Sequence, residues 1–264
     1  MIRWIRSHWL HFYAVLAFAY LLTPVAYVMV FSFNRSGKSN LVWRGFTFDN
    51  WTNPCGAPGV CGAVVNSLKI GLSATVIATV LGTMIAFALT RNRFRGRTTT
   101  NLLLFLPMAT PEVVLAASLL ALFLNMKLPL GYPTIVIAHV MFSISFVVVA
   151  VKARIATLDP RLEQAAADLY ATEWQTFRRI TLPLVAPGIA GAALLAFSLS
   201  FDDFIITNFV SGNVNTFPKF VYTSAQRGIS AQAYVVGAFM FILALTIVGV
   251  GEFLRSRRAR SLAS

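Results

Sequence analysis

Six stretches of this chain are long and apolar enough to cross the ~30 Å of hydrocarbon in a bilayer, and this limits its fold more than any other feature. They fall at residues 11–33, 63–90, 99–126, 132–151, 184–207 and 233–254. Gly and Pro interrupt several of them, which membrane helices tolerate better than soluble ones. The fold class expected is therefore an all-α integral membrane protein with six transmembrane helices. A soluble domain could not hide the 57% of residues that are hydrophobic against only 12% charged, so the bilayer is part of this chain's solvent. The first stretch follows Arg3 and Arg6, is too long for a signal-peptide core and lacks a small-residue cleavage site. It reads as an uncleaved signal anchor.

The net charge of +13 would suggest nucleic acid in a soluble protein. Here the basic residues cluster at the ends of apolar stretches, where the positive-inside rule accounts for them and no nucleic-acid partner is needed. One side of the membrane collects Arg3, Arg6, Arg91, Arg93, Arg95 and Arg97. It also collects Lys152, Arg154, Arg161, Arg178, Arg179, Arg255, Arg257, Arg258 and Arg260, which together are 15 of the 22 basic residues. That side is expected to be cytoplasmic, with both termini inside.

The loop at 34–62 is then external. It holds both cysteines, Cys55 and Cys61, with Gly56, Pro58 and Gly59 between them. An outer-face location permits a disulfide between Cys55 and Cys61, the alternative being two free thiols. Two thiols with no nearby His do not make a metal site. Gly37-Lys38-Ser39 imitates part of a phosphate loop, but the Gly required before four intervening residues is Ser32, and no strand precedes it. No nucleophile elbow or metalloprotease motif is visible, so no catalytic residue is assigned. Small residues recur at every fourth position in the second stretch (Ala74, Ala78, Gly82, Ala86) and the fifth (Gly188, Ala192, Ala196, Ser200). Such stripes let helices approach closely, either within the chain or against a second membrane subunit.

Between the fourth and fifth stretches lies a polar segment, Asp159 to Ile189. Pro160 stands near a helix start, and Leu162, Ala165, Ala166 and Leu169 share one face. Thr172 and Gln175 have capping-box spacing and open a second short helix through Trp174, Phe177 and Ile180. Pro183 and Pro187 are expected to break the chain before the next span. Physically this is a pair of amphipathic helices on the membrane surface. The same residues resemble the Glu-Ala-Ala loop of ABC importer permeases. That pattern is Glu-Ala-Ala, three further residues, Gly, and later Ile-x-Leu-Pro. Here it is met by Gln164-Ala165-Ala166, Asp168-Leu169, Ala171, Ile180-Thr181-Leu182-Pro183 and Pro187-Gly188. Gln164 stands in the motif's Glu position with Glu163 just before it, and Tyr170 stands in the Gly position. A non-Gly residue avoids left-handed backbone angles, so the turn is expected to be rebuilt.

The resemblance implies a type I ABC importer permease fold, with 1–264 as one transmembrane domain, 34–62 extracytoplasmic and 158–183 the cytoplasmic coupling loop. It further implies that Glu163, Gln164, Ala165, Ala166, Asp168, Tyr170, Ala171, Phe177, Leu182 and Pro183 couple to a separate ATPase. This chain would then hold no cofactor, ATP and Mg being bound by a dimer of ATP-binding subunits. The other implied partners are a second permease subunit forming a heterodimer, an extracytoplasmic solute-binding protein and membrane lipid. The implied location is multi-pass in a bacterial inner membrane.

Nearly the whole chain is similar to the second permease of polyamine importers, the spermidine/putrescine type. The similarity runs through Phe31-Ser-Phe-Asn34, Trp43-Arg-Gly-Phe46, Pro107 to Glu112, and Ser198-Leu-Ser-Phe-Asp-Asp-Phe204. Glu112 lies 13 residues beyond Thr99. Along one helix at about 1.5 Å per residue that is ~20 Å into the membrane. Asp202 and Asp203 fall in the outer third of the fifth span. An acid at a helix centre costs about 2.5–3.5 kcal/mol, and no Lys or Arg at comparable depth offsets these three. They read as a cation pathway with Phe197, Phe201 and Phe204 for cation–π contact. The structural alternatives are a helix-end cap for Asp202 and Asp203 and a buried hydrogen bond or protonated acid for Glu112. His139 reads as packing. Oxyanion substrates fit poorly, while ferric iron and other organic cations stay open beside polyamines. A stand-alone secondary transporter or channel would need internal repeats and a complete pathway in one chain, and no such repeat is evident.

Overall fold

The computed structural model describes residues 2–35, 40–92 and 94–261. Gly37-Lys38-Ser39 and Arg93 lie outside the described residues. Among the described residues every regular element is helical. In chain order these are α1 (Ile2–Phe31), α2 (Asp49–Thr52), α3 (Val60–Arg91), α4 (Arg97–Ala109), α5 (Glu112–Asn125), α6 (Tyr132–Ala156), α7 (Arg161–Asp168) and α8 (Glu173–Thr176). A π-turn (Phe177–Thr181) follows, then α9 (Leu182–Phe201), α10 (Ile205–Val210), α11 (Phe217–Arg227) and α12 (Ala231–Ser261). Five helical segments are long and apolar enough to cross a membrane: Trp9–Phe31, Val60–Arg91, Tyr132–Ala156, Glu173–Phe201 and Ala231–Gly251.

The stretch at 99–126 is not one straight helix, because α4 and α5 meet at 106°. Pro111 causes the break. A residue before proline is pushed out of the helical region, and Thr110 is extended (φ −77°, ψ 133°) while Pro111 starts α5 from φ −55°. The depth of ~20 Å expected for Glu112 assumed an unbroken helix and does not hold. Glu112 instead opens α5 at the bend.

The fifth span also differs at both ends. Pro183 and Pro187 do not break it, since Glu173–Phe201 is continuously helical. Proline lacks an N–H and crowds the carbonyl four residues back. The π-turn widens the helix just before Pro183, with the Leu182 N–H donating to the Phe177 carbonyl. At the far end α9 stops at Phe201, so Asp202 and Asp203 occupy the gap before α10 and not the body of a helix.

Contacts divide the chain into two compact units, residues 1–61 with 220–264, and residues 62–219. In the first, α1 packs along α12 and the segment between α1 and α2 is tied down by amides. Asn34 Nδ2 donates to Asn40 Oδ1 (2.6 Å) and the Val42 carbonyl (2.8 Å). Asn50 Nδ2 donates to the Ser32 and Asn34 carbonyls, 3.1 and 2.9 Å. Phe33 stacks on Phe46 at 5.5 Å and Phe31 meets Trp43 edge-on at 6.0 Å. The segments Phe31–Asn34 and Trp43–Phe46 thus hold this loop's shape. Cys55 and Cys61 are joined as a disulfide, their Cα atoms 5.4 Å apart.

The second unit is built on α6. One apolar cluster joins Ile135 and Ala138 of α6 to Ala116, Leu119 and Phe123 of α5 and Ile206 and Val210 of α10. Another joins Val147, Val148 and Val151 to Ala78 and Ala86 of α3 and to Val185, Ala192 and Ala196 of α9. The small-residue stripes are what let α6 in. A Cβ on Gly82 would sit 2.7 Å from Val147 Cγ1, and one on Gly188 would collide with the Arg154 side chain. Both stripes pack within the chain. Gly82→Ala is therefore expected to destabilise the isolated subunit by about 1–3 kcal/mol through overpacking. Gly191→Ala, where nothing lies within 4 Å, should be neutral or stabilising, and thermal unfolding in detergent compares the two.

Candidate functional site

Two helix breaks of the second unit converge on one cavity of about 450 Å³, lined by Glu112, Asp202 and Asp203 with Phe142, Leu199, Phe204 and Ile205. Glu112 comes from the α4–α5 bend and the aspartates from the α9–α10 gap. The two aspartates are placed differently. Asp202 is exposed, whereas Asp203 is only 7% accessible. Asp203 caps α10: the Ile206 N–H donates to its Oδ1 at 3.3 Å, and the Thr207 N–H and hydroxyl donate to its Oδ2 at 2.8 and 2.9 Å. The end-cap alternative therefore describes Asp203, because a six-residue helix starting in an apolar core needs its first N–H groups satisfied. Glu112 lines the same cavity wall.

His139 is not mere packing. It is 2% accessible, and its ring joins Ser200 (Nδ1 to Oγ, 2.6 Å), Asp203 (Nε2 to Oδ2, 3.1 Å) and Thr207 (Nε2 to Oγ1, 3.1 Å). Nothing in the sequence pairs it with residues more than sixty positions away. The available signal was a titratable ring inside an apolar membrane span. Phe201 is not among the residues that line this cavity. It stacks on Phe197 at 5.7 Å, with the Phe197 ring packed over Gly71 of α3 and outside the cavity lining. Phe204 and Phe142 are the aromatic residues of the wall.

The loop at 158–183 folds as a clasp. Glu163 forms an ion pair with Arg91 at the end of α3 and accepts from the Thr181 hydroxyl at 2.8 Å. Arg91 lies 5.7 Å from the Phe87 ring centre and 5.9 Å from that of Phe177. Phe177 meets Phe87 edge-on at 5.3 Å, and Trp174 stacks on Phe177 at 5.7 Å. Phe177 is therefore seated on its own chain, and Trp174 is the exposed knob. Ala166 is buried against the clasp, while Gln164, Ala165 and Asp168 face outward, Ala171 is half-buried, and Leu182-Pro183 opens α9. Leu162 and Leu169 do not share Ala166's buried face, since both are exposed, Leu169 at 82%.

The turn after α7 is not rebuilt. Tyr170 takes φ +59° and is 96% exposed. The Ala171 N–H donates to the Ala166 carbonyl (3.0 Å) and the Tyr170 N–H to that of Ala167 (2.9 Å). These are the two bonds of a Schellman end, which tolerates a non-Gly residue at a steric cost. Thr172 and Gln175 then form the expected capping box, 2.9 and 3.3 Å.

Comparison with known proteins follows the same lines. The family model for "Binding-protein-dependent transport system inner membrane component" matches residues 78–260. The spermidine/putrescine transport system permease protein PotC of Haemophilus influenzae is 32% identical over 238 residues, 90% of this chain and 92% of that protein. The putrescine transport system permease protein PotI of Escherichia coli is 36% identical over 253 residues, covering 93% and 89%. Among solved structures, a chain of a bacterial ABC transporter involved in the import of the acidic polysaccharide alginate superposes with TM-score 0.71 at 18% identity, covering 97% and 98%.

The left-handed Tyr170 gives a direct check on the turn. Tyr170→Gly should keep the Schellman bonds and remove the Cβ penalty, stabilising the subunit by roughly 1 kcal/mol. A rise of about 2–4 °C in the unfolding midpoint of the isolated subunit is expected.

Proposed function

We infer the function of this chain from a fixed premise: it belongs to the family of binding-protein-dependent transport system inner membrane components. It is a permease subunit with the type I ABC importer fold, and a separate subunit hydrolyses the ATP. The solute we assign is a cation, and within that class a polyamine of the spermidine/putrescine type. One observation carries the assignment. Glu112 and Asp202, brought together by two helix breaks, face a single cavity whose wall includes Phe142 and Phe204 and no basic side chain. Carboxylates attract ammonium groups and aromatic faces supplement them. The names of the relatives PotC and PotI point to the same class. A stand-alone secondary transporter or channel does not fit this family.

The remaining assembly is our reading. The α4–α5 pair counts as one of six spans, with both termini and 158–183 on the cytoplasmic side of a bacterial inner membrane and 34–62 outside. A second permease completes the pathway, a dimer of ATPase subunits binds ATP and Mg, and an external binding protein delivers the solute. The exposed face of the clasp, with Gln164, Ala165, Leu169, Tyr170 and Trp174, is what the ATPase would grip. The Arg91–Glu163 pair would pass its movement to α3, and the π-turn would pass it to α9.

Two sets of variants test this in vesicles holding the complete importer. Glu112→Gln and Asp202→Asn should each lower labelled spermidine uptake about tenfold, the equivalent of one ~1.4 kcal/mol contact. Unchanged kinetics would remove them from the pathway, and competition by ferric iron but not polyamines would reassign the solute. Glu163→Ala and Phe177→Ala should leave ATP hydrolysis running while uptake falls severalfold. Parallel loss of both activities would instead mean failed assembly.

A further inference from the structure

His139 has no place in the transport reading so far, yet its side chain touches both sides of the α9–α10 gap. It is buried on α6 between the unit's two apolar clusters. Its Nδ1 is bonded to Ser200, the penultimate residue of α9, and its Nε2 to Asp203 in the gap and Thr207 in α10. The Asp203 carboxylate thereby receives the ring nitrogen, two backbone N–H groups and a hydroxyl. Its Oδ2 takes three of these donors while Oδ1 takes only the Ile206 N–H, so burial, at 7% accessibility, is what withholds this carboxylate from a solute ammonium. Asp202, the adjacent residue, is exposed and lines the cavity with Glu112, whereas Asp203 reaches the same wall with only that small part of its surface accessible.

We propose that His139 is a positioning residue that holds Asp203 inward and so selects Glu112 and Asp202 as the pair of carboxylates presented to the solute. The proposal rests on the reading of this cavity as a cation pathway. Without the imidazole, Asp203 keeps its backbone donors but loses the link to α6, and α9 loses its tie through Ser200. The gap can then re-form with a different separation between the acids. Loss of His139 should therefore alter how the solute is recognised, beyond lowering how much protein folds.

The test uses the complete importer in vesicles, with uptake normalised to assembled complex, for His139→Ala, His139→Gln, Asp203→Asn and the double variant His139→Ala/Asp203→Asn. We expect His139→Ala to raise the KM for spermidine about tenfold, one 1.4 kcal/mol step in affinity, with a smaller change in kcat and an altered ratio of putrescine to spermidine uptake. His139→Gln, whose amide can still donate to Asp203, should recover part of the loss. The double variant should be no worse than the more impaired single variant, because both act through one group. An unchanged KM and solute ratio in His139→Ala and His139→Gln, with only less assembled complex, would overturn the proposal and return His139 to packing. Additive effects in the double variant would also overturn it. Glu112→Gln and Asp202→Asn are run alongside: wild-type uptake in those two would sink the cavity reading itself, whereas impaired uptake there with a silent His139 would sink only this inference.

Discussion

A backbone amide without a partner in hydrocarbon costs several kcal/mol, and each interruption of the helices in the second unit is arranged around that cost. At the α9–α10 gap the first N–H groups of α10 are met by Asp203, whose charge is in turn met by His139 and Thr207. At the α4–α5 bend the Thr110 N–H and hydroxyl both return to the Leu106 carbonyl, 2.9 and 2.6 Å. Pro111 begins α5 with no N–H to satisfy. Only where such groups are available can a membrane helix stop, and the two stops together make a polar cavity beside an apolar core. The acids are therefore partly architecture and partly site. Asp203 belongs to the first, and in the pathway proposed above Asp202 and Glu112 belong to the second.

The same accounting applies to the prolines at the other end of α9. Pro183 and Pro187 each remove an intrahelical bond, yet the helix runs through both, with a π-turn before Pro183 and Arg154 packed beside Gly188. The guanidinium of Arg154 donates to the Leu184 carbonyl from Nε and Nη2, 3.0 and 2.8 Å. Gly188 leaves the room for that arginine. The Leu-Pro and Pro-Gly elements of the loop motif are thus read physically as a device that carries a helix through two prolines intact.

This explains which parts of the molecule were legible in the sequence. Apolar length located most span ends within about five residues, the fifth span excepted, which begins at Glu173 and not at 184, and capping chemistry located Thr172–Gln175, because both are local. The bend at Pro111 was legible in principle from the pre-proline restriction, but hydropathy averages over it. The π-turn was not, and neither was the meeting of Arg91, Glu163 and Thr181 across 72 and 18 residues. Tyr170 was misjudged because an average propensity was set against two specific hydrogen bonds, and the bonds prevailed. His139 was missed for a related reason. A lone histidine among apolar residues carries no local sign of its partners, and its role exists only once α6, α9 and α10 are packed.

What joins the two candidate regions is length. The helix from Glu173 to Phe201 has 29 residues, which at about 1.5 Å per residue is ~43 Å. One end carries Trp174 and Phe177 of the clasp, and the other ends at Phe201, with Ser200 hydrogen-bonded to His139. If the ATPase grips the clasp as proposed, a displacement there would enter this helix at its Glu173 end, and the Gly188, Ala192, Ala196 stripe is where small residues would let it slide or turn against α6. Beyond its other end lies the α9–α10 gap, where the polar contacts of His139 and Asp203 sit beside the apolar cluster that holds Ile206 and Val210. Movement from the clasp would then reach the gap that carries Asp202 and Asp203, which is how a subunit that hydrolyses no ATP itself would change the surroundings of its carboxylates.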